Sequence, residues 1–251
     1  MKKYFAIGFL IASSGCGGGG GDGTAVENTP VPSSSTTAYG DDKLDIYVSF
    51  ESMDGNKAKA SSIPRAAADN TLLTLGEGDA IEVTVDGVNQ ELSRQENTEV
   101  ASYSLDTVSD ASEYELTFSR ESNNTSYSVN FTQDALPVPV SLTHSFAGEV
   151  ISIDVSQEAG HFYSIPWMAL NCSSERESLT AAADSSLDEN GSYQQSLKGA
   201  FDSTQSELLQ RFDKCHVDIT VSASKIENAG PYRDGPLKVS VSNIKEIRID
   251  L

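Results

Sequence analysis

Along most of this chain apolar and polar residues alternate with a period of two, the pattern of strands half-buried against a core. Leu44, Ile46, Val48 and Phe50 interleave with Asp45, Tyr47, Ser49 and Glu51. Ile81, Val83 and Val85 repeat the pattern, Asp86-Gly87 follows, and another run begins at Val88. An Asp-Gly pair between two such runs predicts a two-residue hairpin, because both residues accept the positive φ of a type I′ turn. Tyr114, Leu116 and Phe118, then Tyr127, Val129 and Phe131, predict a second hairpin with a longer loop at 122–124 and its apolar set on one face. Apolar runs at 72–75 and 100–105 add strands. Residues 53–70 carry Gly55, Pro64 and many small side chains, and read as a loop with at most a helical turn at 66–68.

Leu136-Pro137-Val138-Pro139 interrupts the pattern. Two prolines remove donors and force extended backbone, which suits a stiff connector between domains. Beyond it Ile151, Ile153 and Val155 alternate, 160–170 is the most aromatic stretch, and weaker strands at 178–183 and 193–197 flank Asp188-Glu189-Asn190-Gly191. Further strands are expected at 216–222, 237–241 and 244–249. One helix is expected: Thr204 and Glu207 have capping-box spacing, and Leu208, Leu209 and Phe212 form an apolar stripe behind them. Closely spaced strands separated by turn signals predict a mainly β protein, two antiparallel sandwiches over 42–136 and 137–251 with one short helix in the second. Asp110 followed by Tyr114 just before a strand resembles the entry to the sixth strand of immunoglobulin-like and fibronectin-like sandwiches, where a tyrosine pins the corner. That resemblance implies a fold class and no activity.

The first 23 residues follow a different logic. Lys2 and Lys3 precede an apolar run over 4–11, and small residues lead to Gly15-Cys16. The run is too short to span a bilayer and is flanked as a signal peptide is. It resembles a bacterial lipoprotein signal, with Ser13 standing where leucine is usual. The resemblance implies cleavage of 1–15, thioether-linked diacylglycerol on Cys16 and acylation of its amine. Several acyl chains, each methylene worth about 0.8 kcal/mol, make such an attachment to the membrane stable. Gly17, standing where an aspartate would favour inner-membrane retention, implies the outer membrane. Residues 16–41, rich in Gly, Ser, Pro and Thr, then read as a flexible linker reaching roughly 25–30 Å, with order beginning near Asp42.

Charge and cysteines narrow the function. A formal net charge of -20 over 251 residues repels phosphate backbones, so nucleic acid is excluded as a partner. Acidity reads first as a solubility coat, with calcium collected by acidic loops as the sharper alternative. With Cys16 on lipid, Cys172 and Cys215 remain as a pair in an oxidising compartment, where a disulfide is expected. Bridging them closes a loop of roughly 44 residues, worth about 4 kcal/mol in the chain-entropy model. Only His216 adjoins the pair and there is no C-x-x-C, which argues against zinc and thiol redox chemistry.

No G-x-S-x-G, H-E-x-x-H or phosphate-loop motif stands in a credible setting. His144, His161 and His216 fall in three different segments. A calcium loop at 188–191 fails its register, since Ser186 and Leu197 would hold the first and twelfth ligand positions, so a tight turn is expected. Tyr163 and Trp167 could form a flat platform for sugar rings, but a lone tryptophan five residues before Cys172 reads first as core. The sequence therefore predicts a non-enzymatic, lipid-anchored interaction or structural module of the cell envelope, facing a protein or polysaccharide partner. A carbohydrate-binding or calcium-dependent adhesion domain is the alternative, and an envelope hydrolase the second.

Overall fold

A computed structural model describes residues 34–95, 100–226 and 231–251. The signal, Cys16 and the expected linker up to residue 33 lie outside the described residues.

The strands of the first half are β1 (Ser34–Ser35), β2 (Leu44–Met53), β3 (Lys57–Ser62), β4 (Arg65–Ala66), β5 (Leu73–Thr74), β6 (Asp79–Val85), β7 (Val88–Glu91), β8 (Ser93–Arg94), β9 (Tyr103–Val108), β10 (Glu113–Arg120) and β11 (Thr125–Thr132). One sheet runs β11-β10-β6-β7, and β2-β3-β9-β8 lie in order in the facing one. The predicted Asp-Gly hairpin joins β6 to β7, with Asp86 at φ 45° and Gly87 at φ 81°. The Tyr114 hydroxyl accepts the Ala111 N–H at 3.0 Å at the start of β10, as the corner resemblance implied.

The second half supplies β12 (Leu142–Ala147), β13 (Val150–Val155), β14 (His161–Ser173), β15 (Ser178–Ala182), β16 (Ser192–Ser196), the helices α1 (Leu197–Phe201) and α2 (Gln205–Arg211), β17 (Lys214–Lys225), β18 (Tyr232–Asp234) and β19 (Leu237–Asp250). Here β12-β13-β16 face β15-β14-β17-β19. Each half thus has the two-sheet arrangement of immunoglobulin-like sandwiches. The capping box of Thr204 and Glu207 starts α2 as expected, while α1 is an additional helix.

The last strand departs most from the expected plan. Two strands were expected at 237–241 and 244–249; β19 is one strand of 14 residues. Leu237 to Asn243 pair parallel with β2, and Asn243 to Asp250 pair antiparallel with β17. A single sheet of ten strands therefore crosses both halves. Leu237, Val239 and Val241 belong to the core of the first half, which consequently extends beyond 42–136, and Ile247 and Ile249 belong to the core of the second. Since odd-numbered residues face a core at both ends of β19, both cores lie on the same side of the shared sheet. Where the strand crosses over, buried Asn243 accepts the Val140 N–H at 2.8 Å and donates to Ser52 Oγ at 2.9 Å. The polar pair Ser242-Asn243 interrupts the apolar alternation because it serves this junction instead of a core.

Two other expectations are corrected. Residues 53–70 contain β3 and β4, with Ala58, Ala60 and Ser62 inside. Small side chains make so weak an apolar alternation that the strand reads as loop. Order also begins before Asp42: Thr36, placed in the expected linker, is fully buried and donates to Asp79 Oδ2 at 2.5 Å.

Candidate functional site

The aromatic stretch forms β14, next to the end strand β15 of the shared sheet, and one irregularity in it decides where its side chains go. Tyr163 and Ile165 are buried, so strict alternation would send residue 167 inward as well. Between Ser164 and Trp167 the register against β17 shifts: Ser164 opposes Ser222, Trp167 opposes Thr220, and Ile165-Pro166 face Val221 alone. Two residues opposite one constitute a β-bulge, and proline, lacking an N–H, is tolerated in a strand at such a place. The bulge resets the phase, so Met168, Leu170 and Cys172 become core and Trp167 turns outward, 49% exposed. Phe162, opposite Ser224 on the same outer face, is 62% exposed. Four residues of β17 separate their partners, a distance of roughly 13 Å along the strand.

The platform anticipated from Tyr163 and Trp167 is thereby divided. Tyr163 is core, its hydroxyl accepting the Glu158 N–H at 3.1 Å, and only Trp167 faces out. The reading of Trp167 as core is corrected by the bulge, and the signal for it was Pro166 inside an otherwise strand-like run. Since Trp167 is the chain's sole tryptophan, its emission is expected to have the red-shifted maximum of a hydrated indole and to be readily quenched by acrylamide. A blue-shifted, quencher-resistant emission would contradict this placement.

Next to Trp167 a polar ladder crosses all four strands of the second half's larger sheet. Thr180 Oγ1 donates to Asn171 Oδ1 at 3.0 Å, and Asn171 Nδ2 donates to Asp218 Oδ2 at 2.9 Å. Arg248 Nε donates to Asp218 Oδ1 at 2.7 Å, and His216 Nε2 stands 3.2 Å from Asp218 Oδ2. Burial pushes the Asp218 carboxyl up, but the Arg248 hydrogen bond, then the charges of His216 and Arg248, outweigh it and hold it below the usual carboxylate range. The ladder fixes the outer face beside the aromatics. Over the first half the same face carries a row of small hydroxyls, Ser240, Ser49, Ser61, Ser104 and Ser93, opposite one another on five successive strands.

Cys172 and Cys215 are bonded, and they sit directly opposite each other on β14 and β17. The bridge therefore staples neighbouring strands of one sheet instead of joining two sheets. Replacing both cysteines by serine is expected to cost about 2–4 kcal/mol, measured by urea denaturation under oxidising conditions.

Other candidates are dispersed. His144 lies on β12, while His161 and His216 stand near opposite ends of the β14–β17 pairing, roughly 30 Å apart by strand rise. Asp188 Oδ1 accepts the N–H groups of Asn190 and Ser192 at 2.9 and 2.8 Å, the tight turn that was expected. Among the described residues no group of three or more His, Cys, Asp or Glu is placed to hold a metal ion. Cys16 lies outside the described residues.

A mainly β, immunoglobulin-like double sandwich is the class these elements define. No protein-family model matches the chain, and no curated protein matches it. Among solved structures it is similar to the chicken interferon gamma receptor alpha chain, at 12% identity and a TM-score of 0.24 over 81% of this chain and 96% of that one. A DUF3823 family protein from Parabacteroides merdae is similar at 16% identity and a TM-score of 0.25, covering 72% of this chain and 91% of its own. Bovine butyrophilin is similar at 12% identity and a TM-score of 0.23, covering 83% and 98%. At scores this low none of the three bears on function.

Proposed function

We propose that this protein is a non-catalytic interaction module, held at a bacterial outer membrane by lipid on Cys16, which presents the outer face of its second sandwich to an envelope partner. The observation that carries this reading is the exposure of Trp167 and Phe162 on one face of a sheet stiffened by a polar ladder and a disulfide. Isolated apolar side chains on a surface are ordinary, but tryptophan is the residue type most enriched where binding energy concentrates. The anchor rests on the sequence of residues 1–23.

In-cell chemical crosslinking of the full-length chain tests the reading. A reproducible envelope partner is expected, lost when Cys16 is replaced by alanine and the chain leaves the membrane. A specific hydrolase or transferase activity of the purified protein, abolished by one point change, would overturn it. A sugar-binding reading draws on the same exposed indole, with Thr220 and Glu246 beside it in register. It requires Trp167 fluorescence to shift with a member of a soluble oligosaccharide panel.

A further inference from the structure

The first half of β14 has a neighbour on one side only. It pairs with β17 along its length, whereas β15 covers Ala169 to Ser173 and no strand among the described residues lies on that side of His161 to Trp167. A groove of about 410 Å³ takes the place of the missing strand, between β14 and the loop 185–189. Phe162 and Leu187 give it apolar surface, Gln157, His161 and three serines make much of the rest polar, Asp188 and Glu189 stand on its loop side, and no lysine or arginine lines it. Lys225, opposite His161 across the sheet, is engaged by the Asp134 carbonyl.

We infer that this open edge is a strand-addition site for an extended, lysine- or arginine-bearing segment of a partner protein, a conclusion that rests on the interaction-module reading and names the partner's chemistry. An unpaired strand edge supplies N–H and C=O groups to an added strand, and flanking pockets sort its side chains. Pro166 offers no N–H, so the added strand ends there and spans the roughly five residues before it. Charge selects the occupant. The chain carries a net charge of -20, and the groove bears carboxylates without a lysine or arginine. A second copy of this chain, or its own linker with Asp22 and Glu27, meets like charge, while a basic segment is steered in and its cations meet Glu189 and the Phe162 ring.

Fluorescence anisotropy of dye-labelled decapeptides against the full-length protein tests the site. The probes are an alternating Lys–Val peptide, its Glu–Val counterpart, and the Lys–Val peptide N-methylated at every second residue. The Lys–Val peptide is expected to bind at least tenfold more tightly than either of the others, and several-fold more weakly when salt is raised. Phe162→Ala and Glu189→Lys, both at exposed positions, are expected to weaken it several-fold without altering the fold measured by circular dichroism. Equal binding of the Lys–Val and Glu–Val peptides, unimpaired binding after N-methylation, displacement by a neutral polysaccharide, or no binding at all would overturn the inference. A crosslinked partner in cells combined with no peptide binding would leave the interaction-module reading standing and remove strand addition alone.

Discussion

Leu237→Ala is expected to destabilise the first sandwich by about 2–5 kcal/mol, although Leu237, Val239 and Val241 lie far along the chain from Phe131, the member of that core that precedes them. Leu237 is fully buried against the first core and pairs with Ile46 on β2. Its strand continues without interruption into the second sandwich, where Ile247 and Ile249 are core. Damage at Leu237 should therefore not remain local. Chemical denaturation followed by Trp167 fluorescence, which reports the second sandwich, and by tyrosine near-ultraviolet dichroism, to which buried Tyr103 and Tyr114 of the first contribute, should give coincident transitions before and after the change. Two separated transitions, with the Trp167 signal unmoved by the substitution, would show that β19 does not couple the halves. The same geometry implies that the first sandwich is completed only when the last strand has been synthesised.

Arg120→Ala has the second large expected effect, about 3–5 kcal/mol, because it strands a buried carboxylate. The Arg120 side chain is 1% exposed, its Nε lies 3.5 Å from Asp79 Oδ2, and the Asp79 side chain is wholly buried. Its other guanidinium nitrogens donate to the Thr36 carbonyl at 3.0 Å, the Tyr39 carbonyl at 3.1 Å and the Asp41 carboxylate. Arg120 thereby clasps the segment that enters the fold onto the first sandwich. Replacing Arg120 by Met and Asp79 by Leu together should recover much of the loss, since an apolar pair leaves no charge buried alone. Acid should release the clasp. Burial pushes the Asp41 carboxyl up, but hydrogen bonds from Tyr127, Arg120, Asn123 and Thr125 outweigh it and hold its pKa below the ordinary value. A carboxyl lowered on folding stabilises above its unfolded pKa, so this contribution is complete at pH 7 and is lost as pH falls below about 4. Denaturation midpoints between pH 6 and 2.5 should fall less steeply for Asp41→Asn than for the unaltered protein. An equal fall in both would remove Asp41 from the account.

What was legible in the sequence follows physical lines. Strands with large apolar residues on one face, β2, β6, β10 and β11, announce themselves by period two, and the Asp86-Gly87 turn by its backbone chemistry. β3 was hidden because its inward side chains are two alanines and a serine. The unity of β19 was hidden because Ser242-Asn243 reads as a break, and the buried role of Asn243 depends on Ser52 and Val140, both far away in sequence. At the candidate site, aromatic composition pointed to the right strand, but which way Trp167 turns depends on one extra residue at Ile165-Pro166. The open edge of β14 has no local signature whatever, because it follows from the length of a different strand, β15.

The central claim is that contact with a partner runs through the outer face and edge at β14, and site-specific photo-crosslinking in cells tests it most directly. A photoreactive residue is placed at Phe162 or Trp167, and for comparison at Thr117, an outward position paired with Ser128 on the first sandwich. The account predicts one reproducible protein adduct from 162 and 167 and none from 117. Adducts of equal yield at all three positions, or from 117 alone, would contradict it.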